Sequence, residues 1–270
     1  MKIALHTDLF RKYPIEEVIP LVAQTGYEYI ELNAIPYWSP HINFFNIDEG
    51  KKESLKKLLD EYHISIAAIG TNTDLAVLEK AERIRNVKYC IEAVKMGSEL
   101  GCHLVCSTFS GNALLSGGKQ KQALGESLRE LSNIGLEYGV DIAIELHPGS
   151  FIDSTVKAVN LLKSLNLPNV GYLFCCPHIA TFAGEELEQA LKISRDCIIH
   201  FHVADTPIWA CDHRHMMPQS GEINFDRLIP QIKQIGYDRF LTIEIYSEDE
   251  HPIESAVKSK KIIEGLLGQA

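Results

Sequence analysis

Several features that define whole classes of protein are missing from this chain. No apolar run approaches the roughly 18 residues needed to cross a bilayer. The opening stretch MKIALHTDLF is apolar over too short a distance to be a signal peptide. The seven cysteines are odd in number and scattered, which does not match the disulfide framework of a secreted protein. We therefore expect a cytoplasmic protein that has no membrane contact and keeps its cysteines reduced.

Positive charge and nucleotide-binding patterns are also scarce. The chain has 26 Lys and Arg against 36 Asp and Glu, a formal net charge of −10. Extended nucleic-acid binding depends on clustered Lys and Arg, so this balance disfavours a nucleic-acid partner but leaves a small anionic substrate open. No GxGxxG turn supports a dinucleotide site. No low-complexity linker divides the chain, so we expect one domain over residues 1–270.

What the sequence does contain is one unit repeated eight times. Each unit is a short β-branched or aromatic run, a polar turn, and a stretch with apolar residues three and four apart. The predicted strands are 2–6, 28–32, 64–69, 103–107, 141–146, 170–175, 198–203 and 240–245. The predicted helices lie near 15–25, 49–62, 79–100, 119–138, 154–165, 184–195, 224–235 and 252–266.

Strict alternation of strands and helices predicts a parallel sheet, and eight repeats favour a closed (βα)8 barrel of the α/β class. Many helices are expected to end at glycines in the left-handed conformation: Gly26, Gly101, Gly139 and Gly236. The longer connections, 33–48, 108–118 and 204–223, all follow strands. In such a barrel they rise from the C-terminal face, where active sites are built.

Four of the predicted strands end in side chains that bind metals or transfer protons: Glu145, Cys175, His202 and Glu244. A carboxylate at the end of an apolar strand is costly unless it is paired, hydrogen-bonded or metal-bound. The pattern predicts one metal site at the mouth of the barrel. A structural ion pair for either glutamate, and an inert buried thiol for Cys175, are the alternatives that the residues leave open.

Further histidines lie close to these strand ends. His200 shares a strand face with His202 and is expected to lie deeper, as a packing residue or behind the ligand. His178 follows Cys175 by three residues, and His147 follows Glu145 by two and is a candidate for substrate contact. His6 ends the first strand, where a hydrogen-bonded structural histidine is the better interpretation.

The 204–223 loop carries His213, Arg214 and His215. A cation here could clamp hydroxyl or phosphate groups of a substrate, and Arg214 is the candidate; a solvated loop is the alternative. The segment 111–122 contains glycines and lysines but lacks the spacing of a phosphate-binding loop, so we interpret it as a lid or a solvated loop.

Taken together, the motifs IELHPG, VGYLFCCPH, HFHVAD, SGEINF and TIEIY resemble those of the sugar phosphate isomerase/epimerase superfamily, the xylose isomerase-like TIM barrels. The likeness extends over essentially the whole chain. It implies a divalent metal held by Glu145, position 175, His202 and Glu244, and a substrate contact from His178. The family pattern D-x-x-H is altered here, because Cys175 stands in place of the aspartate.

The resemblance implies proton transfer on a keto sugar or related polyol through an enediolate, with Glu145 and Glu244 as the catalytic pair. If Cys175 binds, the thiolate favours Zn²⁺; otherwise Mn²⁺, Mg²⁺ or Co²⁺ suits the site. Two alternatives remain: a lyase, either a keto-inositol dehydratase or an oxo-sugar acid decarboxylase, and a non-catalytic sugar-binding barrel. The acidic charge disfavours nucleic-acid cleavage. The sequence leaves the oligomeric state open, a homo-oligomer included.

Overall fold

Eight parallel strands close into a barrel in the computed structural model, which describes residues 1–38, 40–115, 117–208, 214–248 and 250–268. The ring closes because β1 pairs with β8 in parallel, from Lys2 opposite Phe240 to Leu5 opposite Ile243. The strands are β1 Lys2–His6, β2 Tyr29–Asn33, β3 Ser65–Gly70, β4 Leu104–Thr108, β5 Asp141–Glu145, β6 Val170–Cys175, β7 Ile198–Val203 and β8 Phe240–Ile243.

A helix follows each strand, which confirms the predicted (βα)8 barrel. The helices are α1 Ile15–Gln24, α2 Glu49–Glu61, α3 Lys80–Glu99, α4 Gly117–Tyr138, α5 Thr155–Leu165, α6 Leu187–Ser194, α7 Phe225–Gln234 and α8 Pro252–Leu267. The four glycines predicted in the left-handed conformation have φ of 79°, 72°, 68° and 78°: Gly26, Gly101, Gly139 and Gly236. Among the described residues, no helix combines the length and apolar character that a membrane span requires.

Three segments differ from their predicted bounds by more than one residue. The eighth strand ends at Ile243 because its pairing with β1 ends there, so Glu244 is the first residue after the strand. The sixth helix begins at Leu187 because Gly184, with φ of 62°, interrupts the helical backbone and a π-helical turn occupies His178–Phe182. The segment 111–122 is not all loop, since α4 already begins at Gly117.

The core has two parts. Most buried apolar side chains lie between the strands and the helices, as in other barrels of this architecture. A smaller cluster lies apart from this core: Ala68, Leu104, Cys106, Ala143, Leu173 and Cys175, with partly buried Ile199 packed against it. The two alanines of this cluster take up little volume. Polar side chains of β2, β5 and β7 are fully buried nearby, and these chains build the site described below.

His41 links the connection after β2 to the turn after β1 through two side-chain contacts. Its Nδ1 lies 2.9 Å from the Thr7 hydroxyl, and its Nε2 lies 3.3 Å from the carbonyl oxygen of Phe10. Burial of the imidazole lowers the pKa of His41 to about 4. The folded protein therefore holds the neutral ring at pH values where the unfolded chain already binds a proton.

This difference predicts that the contribution of His41 to the stability of the fold is lost in acid. Because the folded pKa lies below the unfolded value, the contribution of His41 is complete above about pH 6.5 and falls as the pH drops towards 4, by up to about 3 kcal/mol. In urea unfolding, the difference in the free energy of unfolding between wild type and H41Q should therefore be smaller at pH 4 than at pH 7.5. A gap that stays constant would contradict the prediction, and the exposed His251, changed to Gln, serves as control.

Candidate functional site at the barrel mouth

The four strand-end side chains predicted as a metal site come together. Glu145 is the last residue of β5, Cys175 is the last residue of β6, His202 is in β7, and Glu244 follows β8. The register places Cys175 beside His202, and Glu145 and its neighbours are buried. One donor atom from each of the four residues lies within 4.8 Å of every other. The sequence-based grouping is thus present in the structure.

The Nδ1 atom of His202 stands between the two carboxylates. It lies 3.3 Å from Glu145 Oε1 and 3.0 Å from Glu244 Oε2. A bare nitrogen lone pair facing two carboxylate oxygens in a buried site would be repelled, so a proton or a cation has to lie among these three atoms. Burial opposes charge on the ring, but Glu244 and Glu31 raise the pKa of His202 well above its ordinary value.

The chemistry of the donor set fits a divalent ion. Two carboxylates, one imidazole and one thiol supply four donors, a number found in protein zinc sites. Burial by itself would raise the pKa of the Cys175 thiol, but His178 and His215 lower it, and the balance is about 7. A thiolate is therefore accessible near neutral pH. Sulfur with nitrogen and oxygen donors suits Zn²⁺ or Co²⁺ better than Mg²⁺.

Besides His202, each of the two carboxylates, Glu145 and Glu244, lies next to another histidine. His178, in the π-helical turn, places Nδ1 at 3.2 Å from Glu145 Oε1, and His215 places Nδ1 at 2.9 Å from Glu244 Oε2. Burial favours the neutral acids, but His178 lowers the pKa of Glu145, and His202 and His215 lower that of Glu244. Both carboxylates are therefore ionised.

The three predicted substrate contacts are placed differently. His178 and His147 both line the mouth cavity, with their ring centres 5.1 Å apart. Arg214 is exposed and is not among the residues that line the cavity. His213 lies outside the described residues. Among the described residues of the 204–223 loop, His215 lines the cavity, and it stacks on Tyr246 with ring centres 4.7 Å apart.

The backbone explains why His215 turns inward. Asp205 and Met216 form a two-way backbone pair, with N to O distances of 2.9 and 2.8 Å. Tyr246 N–H also donates to the carbonyl oxygen of His215 at 3.2 Å. The end of the loop is thereby held beside the segment after β8. Nothing in the DHRH run itself distinguishes His215 from its neighbours.

A cavity of about 390 Å³ opens above these groups, within the range of small-molecule sites. Acidic, imidazole, aromatic and aliphatic groups all contribute to its lining. Its lining is Asp8, Ile35, Tyr37, Trp38, Asn72, Glu145, His147, Pro148, His178, His215, Glu244 and Tyr246. A larger cavity, about 640 Å³, lies at the opposite end of the strands, away from the four-donor cluster.

Sequence reasoning missed Asp8 and Trp38. The Trp38 indole N–H donates to Asp8 Oδ2 at 2.8 Å, and the Arg11 guanidinium lies 5.5 Å from the centre of the Trp38 ring. Asp8 and Trp38 line the mouth cavity together with Tyr246, whose ring centre is 6.1 Å from that of Trp38. A turn residue after β1 carries no periodic signal that would have identified it.

The two remaining histidines have structural contacts. His6 Nδ1 accepts from the backbone N–H of Asp8 at 3.2 Å, in line with the structural interpretation of this residue. His200 is fully buried and lies 2.8 Å from Glu31 through Nε2. It is thus deeper in the barrel than His202, as predicted.

The fold and the site define a closed (βα)8 barrel with acidic, thiol and imidazole groups gathered at its C-terminal mouth. Residues 19–265 match the family described as xylose isomerase-like TIM barrel, and the chain belongs to this family. A relative, the inosose isomerase of Halalkalibacterium halodurans, is 25% identical over 251 residues, which cover 88% of this chain and 86% of the relative.

Two solved structures share the fold over nearly their whole length. A D-tagatose 3-epimerase-like protein superposes with a TM-score of 0.84 at 21% identity, covering 99% of this chain and 97% of that one. The IOLI protein with a bound zinc atom superposes with a TM-score of 0.83 at 20% identity, covering 100% and 99%. At these identities the superpositions establish the architecture.

Proposed function

We propose that this chain is a metal-dependent isomerase or epimerase of a keto sugar or related polyol. The observation that carries the proposal is the convergence of Glu145 and Glu244 on His202 Nδ1 at the base of the mouth cavity. The inosose isomerase relative and the sugar epimerase-like and zinc-containing structural neighbours support the same reaction class and a metal. We also propose that residues 1–270 form one domain.

The proposed metal ligands are Glu145, Cys175, His202 and Glu244. A divalent ion held there would polarise neighbouring carbonyl and hydroxyl oxygens of a ketose and acidify the C–H bond between them. Glu145 comes from β5 and Glu244 from the end of β8, and in the proposed reaction one removes a proton from a substrate carbon and the other returns it from the opposite side. His178 and His215 hold these carboxylates in place and keep them ionised.

The rest of the cavity suits a small polyhydroxylated molecule. Asp8 and His147 offer hydrogen-bonding groups, while the rings of Trp38 and Tyr246 offer flat apolar faces for the C–H side of a sugar. An acidic lining and the net charge of −10 disfavour nucleic acid as a partner. The proposed partner is therefore a small sugar or sugar-derived substrate.

The experiment is proton exchange in deuterated water, followed by NMR on a panel of ketoses and keto-inositols. Protein stripped with a chelator should catalyse no exchange, and addition of Zn²⁺, Co²⁺ or Mn²⁺ should restore it. Exchange that is equally fast in the stripped protein would contradict the metal role. Sugar binding and metal binding without any exchange would instead support the non-catalytic binding barrel.

A lyase acting on the same substrates is a second candidate, and His215 favours it. Burial opposes charge on this ring, but Glu244 and Cys175 raise the pKa of His215 to about 9. At neutral pH, His215 therefore carries a proton that it could give to a departing hydroxyl group next to the carbon deprotonated by Glu244. Loss of water or CO₂ from the substrate panel, detected by mass spectrometry, would identify a lyase; exchange or epimerisation without mass loss would identify an isomerase.

A further inference from the structure

Glu31, in the middle of the barrel, is a buried carboxylate that the proposed reaction does not use. Its side chain is inaccessible to solvent. It comes from β2, where the register places it beside His6 of β1 and Ala68 of β3. Both of its oxygens lie 3.1 Å from His202 Nε2, and Oε2 also lies 2.8 Å from His200 Nε2.

The two nitrogens of His202 therefore face two different groups. Nε2 faces the carboxylate of Glu31, whereas Nδ1 faces Glu145 and Glu244 in the proposed metal site. A carboxylate can only accept hydrogen bonds when ionised, so contact at 3.1 Å places a hydrogen on Nε2. With its hydrogen on Nε2, a neutral imidazole must direct its lone pair through Nδ1.

We propose that Glu31 is a positioning residue that fixes the tautomer and ring orientation of His202, so that Nδ1 is available to a divalent metal. A carboxylate behind a ligating histidine raises the basicity of the ring and holds its plane. The inference rests on the proposed metal site. It extends the functional residues from the cavity wall to a residue that touches neither the cavity nor, by our assignment, the ion.

The surroundings of Glu31 favour this role over that of an ordinary structural ion pair. Within the described part of the chain, its ion-pair partners are His200 and His202, and no lysine or arginine. An ionised carboxylate without solvent is costly unless positive charge is close. A metal ion bound to His202 would supply that charge through the ring, so the buried carboxylate and the ion would stabilise each other.

His200 completes the arrangement from below. Its Nε2 lies 3.0 Å from the Thr242 hydroxyl as well as 2.8 Å from Glu31 Oε2. His200 of β7 therefore contacts the carboxylate of Glu31, and Thr242 of β8 contacts His200.

The test compares E31Q with E137Q. E31Q keeps the shape of the side chain but replaces one acceptor oxygen with an amide donor, while E137Q makes the same change at an exposed position of α4, away from this cluster. Zinc affinity is measured on stripped protein by competition with a chromophoric chelator. E31Q is expected to bind zinc about 10- to 100-fold more weakly than wild type, as for other groups behind metal-bound histidines. E137Q is expected to bind zinc as wild type does.

A second measurement does not depend on the folding of a variant. In zinc-loaded wild-type protein labelled with ¹⁵N-histidine, His202 should show a hydrogen on Nε2 and a metal-coordinated Nδ1; a hydrogen on Nδ1 would overturn the proposal. Folded E31Q with wild-type zinc affinity would also overturn it, while leaving the metal site intact. Wild-type protein that binds no divalent ion would overturn the metal site and the role of Glu31 together.

Discussion

E145Q and E244Q are each expected to slow epimerisation by about 10²- to 10⁴-fold, the range for loss of a general acid or base. The amide cannot accept the substrate proton, although its oxygen can still face His202. With two bases on opposite sides of the substrate carbon, each variant should lose deuterium exchange with one epimer and retain it with the other. The measurement is exchange by NMR on both epimers at saturating metal, with bound metal counted for each variant.

The matched control is E137Q, which makes the same carboxyl-to-amide change at an exposed position of α4. It should exchange both epimers at the wild-type rate. If fully metal-loaded E145Q and E244Q also exchange both epimers at that rate, the roles proposed for these residues are wrong. If both variants lose exchange with the same epimer only, a single-base isomerase replaces the two-base scheme.

The C175D variant should change which metal the barrel prefers. Aspartate replaces the sulfur with oxygen, so the donor set becomes three carboxylates and one imidazole, which suits Mn²⁺ and Mg²⁺. We expect the ratio of Mn²⁺ to Zn²⁺ dissociation constants to fall by at least about tenfold, equivalent to ~1.4 kcal/mol. Competition titrations on stripped protein measure this ratio directly.

Cobalt spectroscopy supplies the control for C175D. A thiolate bound to Co²⁺ gives a sulfur-to-metal charge-transfer band, which should be present in wild type and absent in C175D. C176S changes the neighbouring cysteine, which packs in the outer core, and should keep both the band and the metal preference. A wild-type spectrum without the band would show that Cys175 does not ligate the ion.

Local pattern predicted most of the fold and much of the candidate site. Alternating strands and helices specify a barrel, and in a barrel all strand ends meet at one mouth, which is why Glu145, Cys175, His202 and Glu244 could be grouped before the structure was known. The local pattern did not predict where the side chains of Arg214 and His215 lie. Their loop is placed by a long-range backbone pair between Asp205 and Met216, and no local period encodes such a contact.

Glu31 shows a different kind of omission. It lies in the apolar run YIEL, where a carboxylate inside a buried strand is as costly as it is at Glu145. The structure places Glu31 in the middle of β2, one layer below the mouth, whereas in the predicted strand 28–32 it was one residue from the end, as Glu145 and His202 were in theirs. Asp8 and Trp38 could not have been inferred, because the hydrogen bond that joins them links the short 3₁₀ turn after β1 to the connection after β2.

The pairing of β1 with β8 makes the site a late product of folding. Glu244 reaches His202 only after the last strand has docked between the first strand and β7, a contact between residues more than 230 positions apart in the chain. Contacts this distant in sequence form slowly, because a long loop must close first. During synthesis, the nascent chain can therefore carry three of the four proposed ligands without being able to complete the site, and tight metal capture would report that the ring has closed.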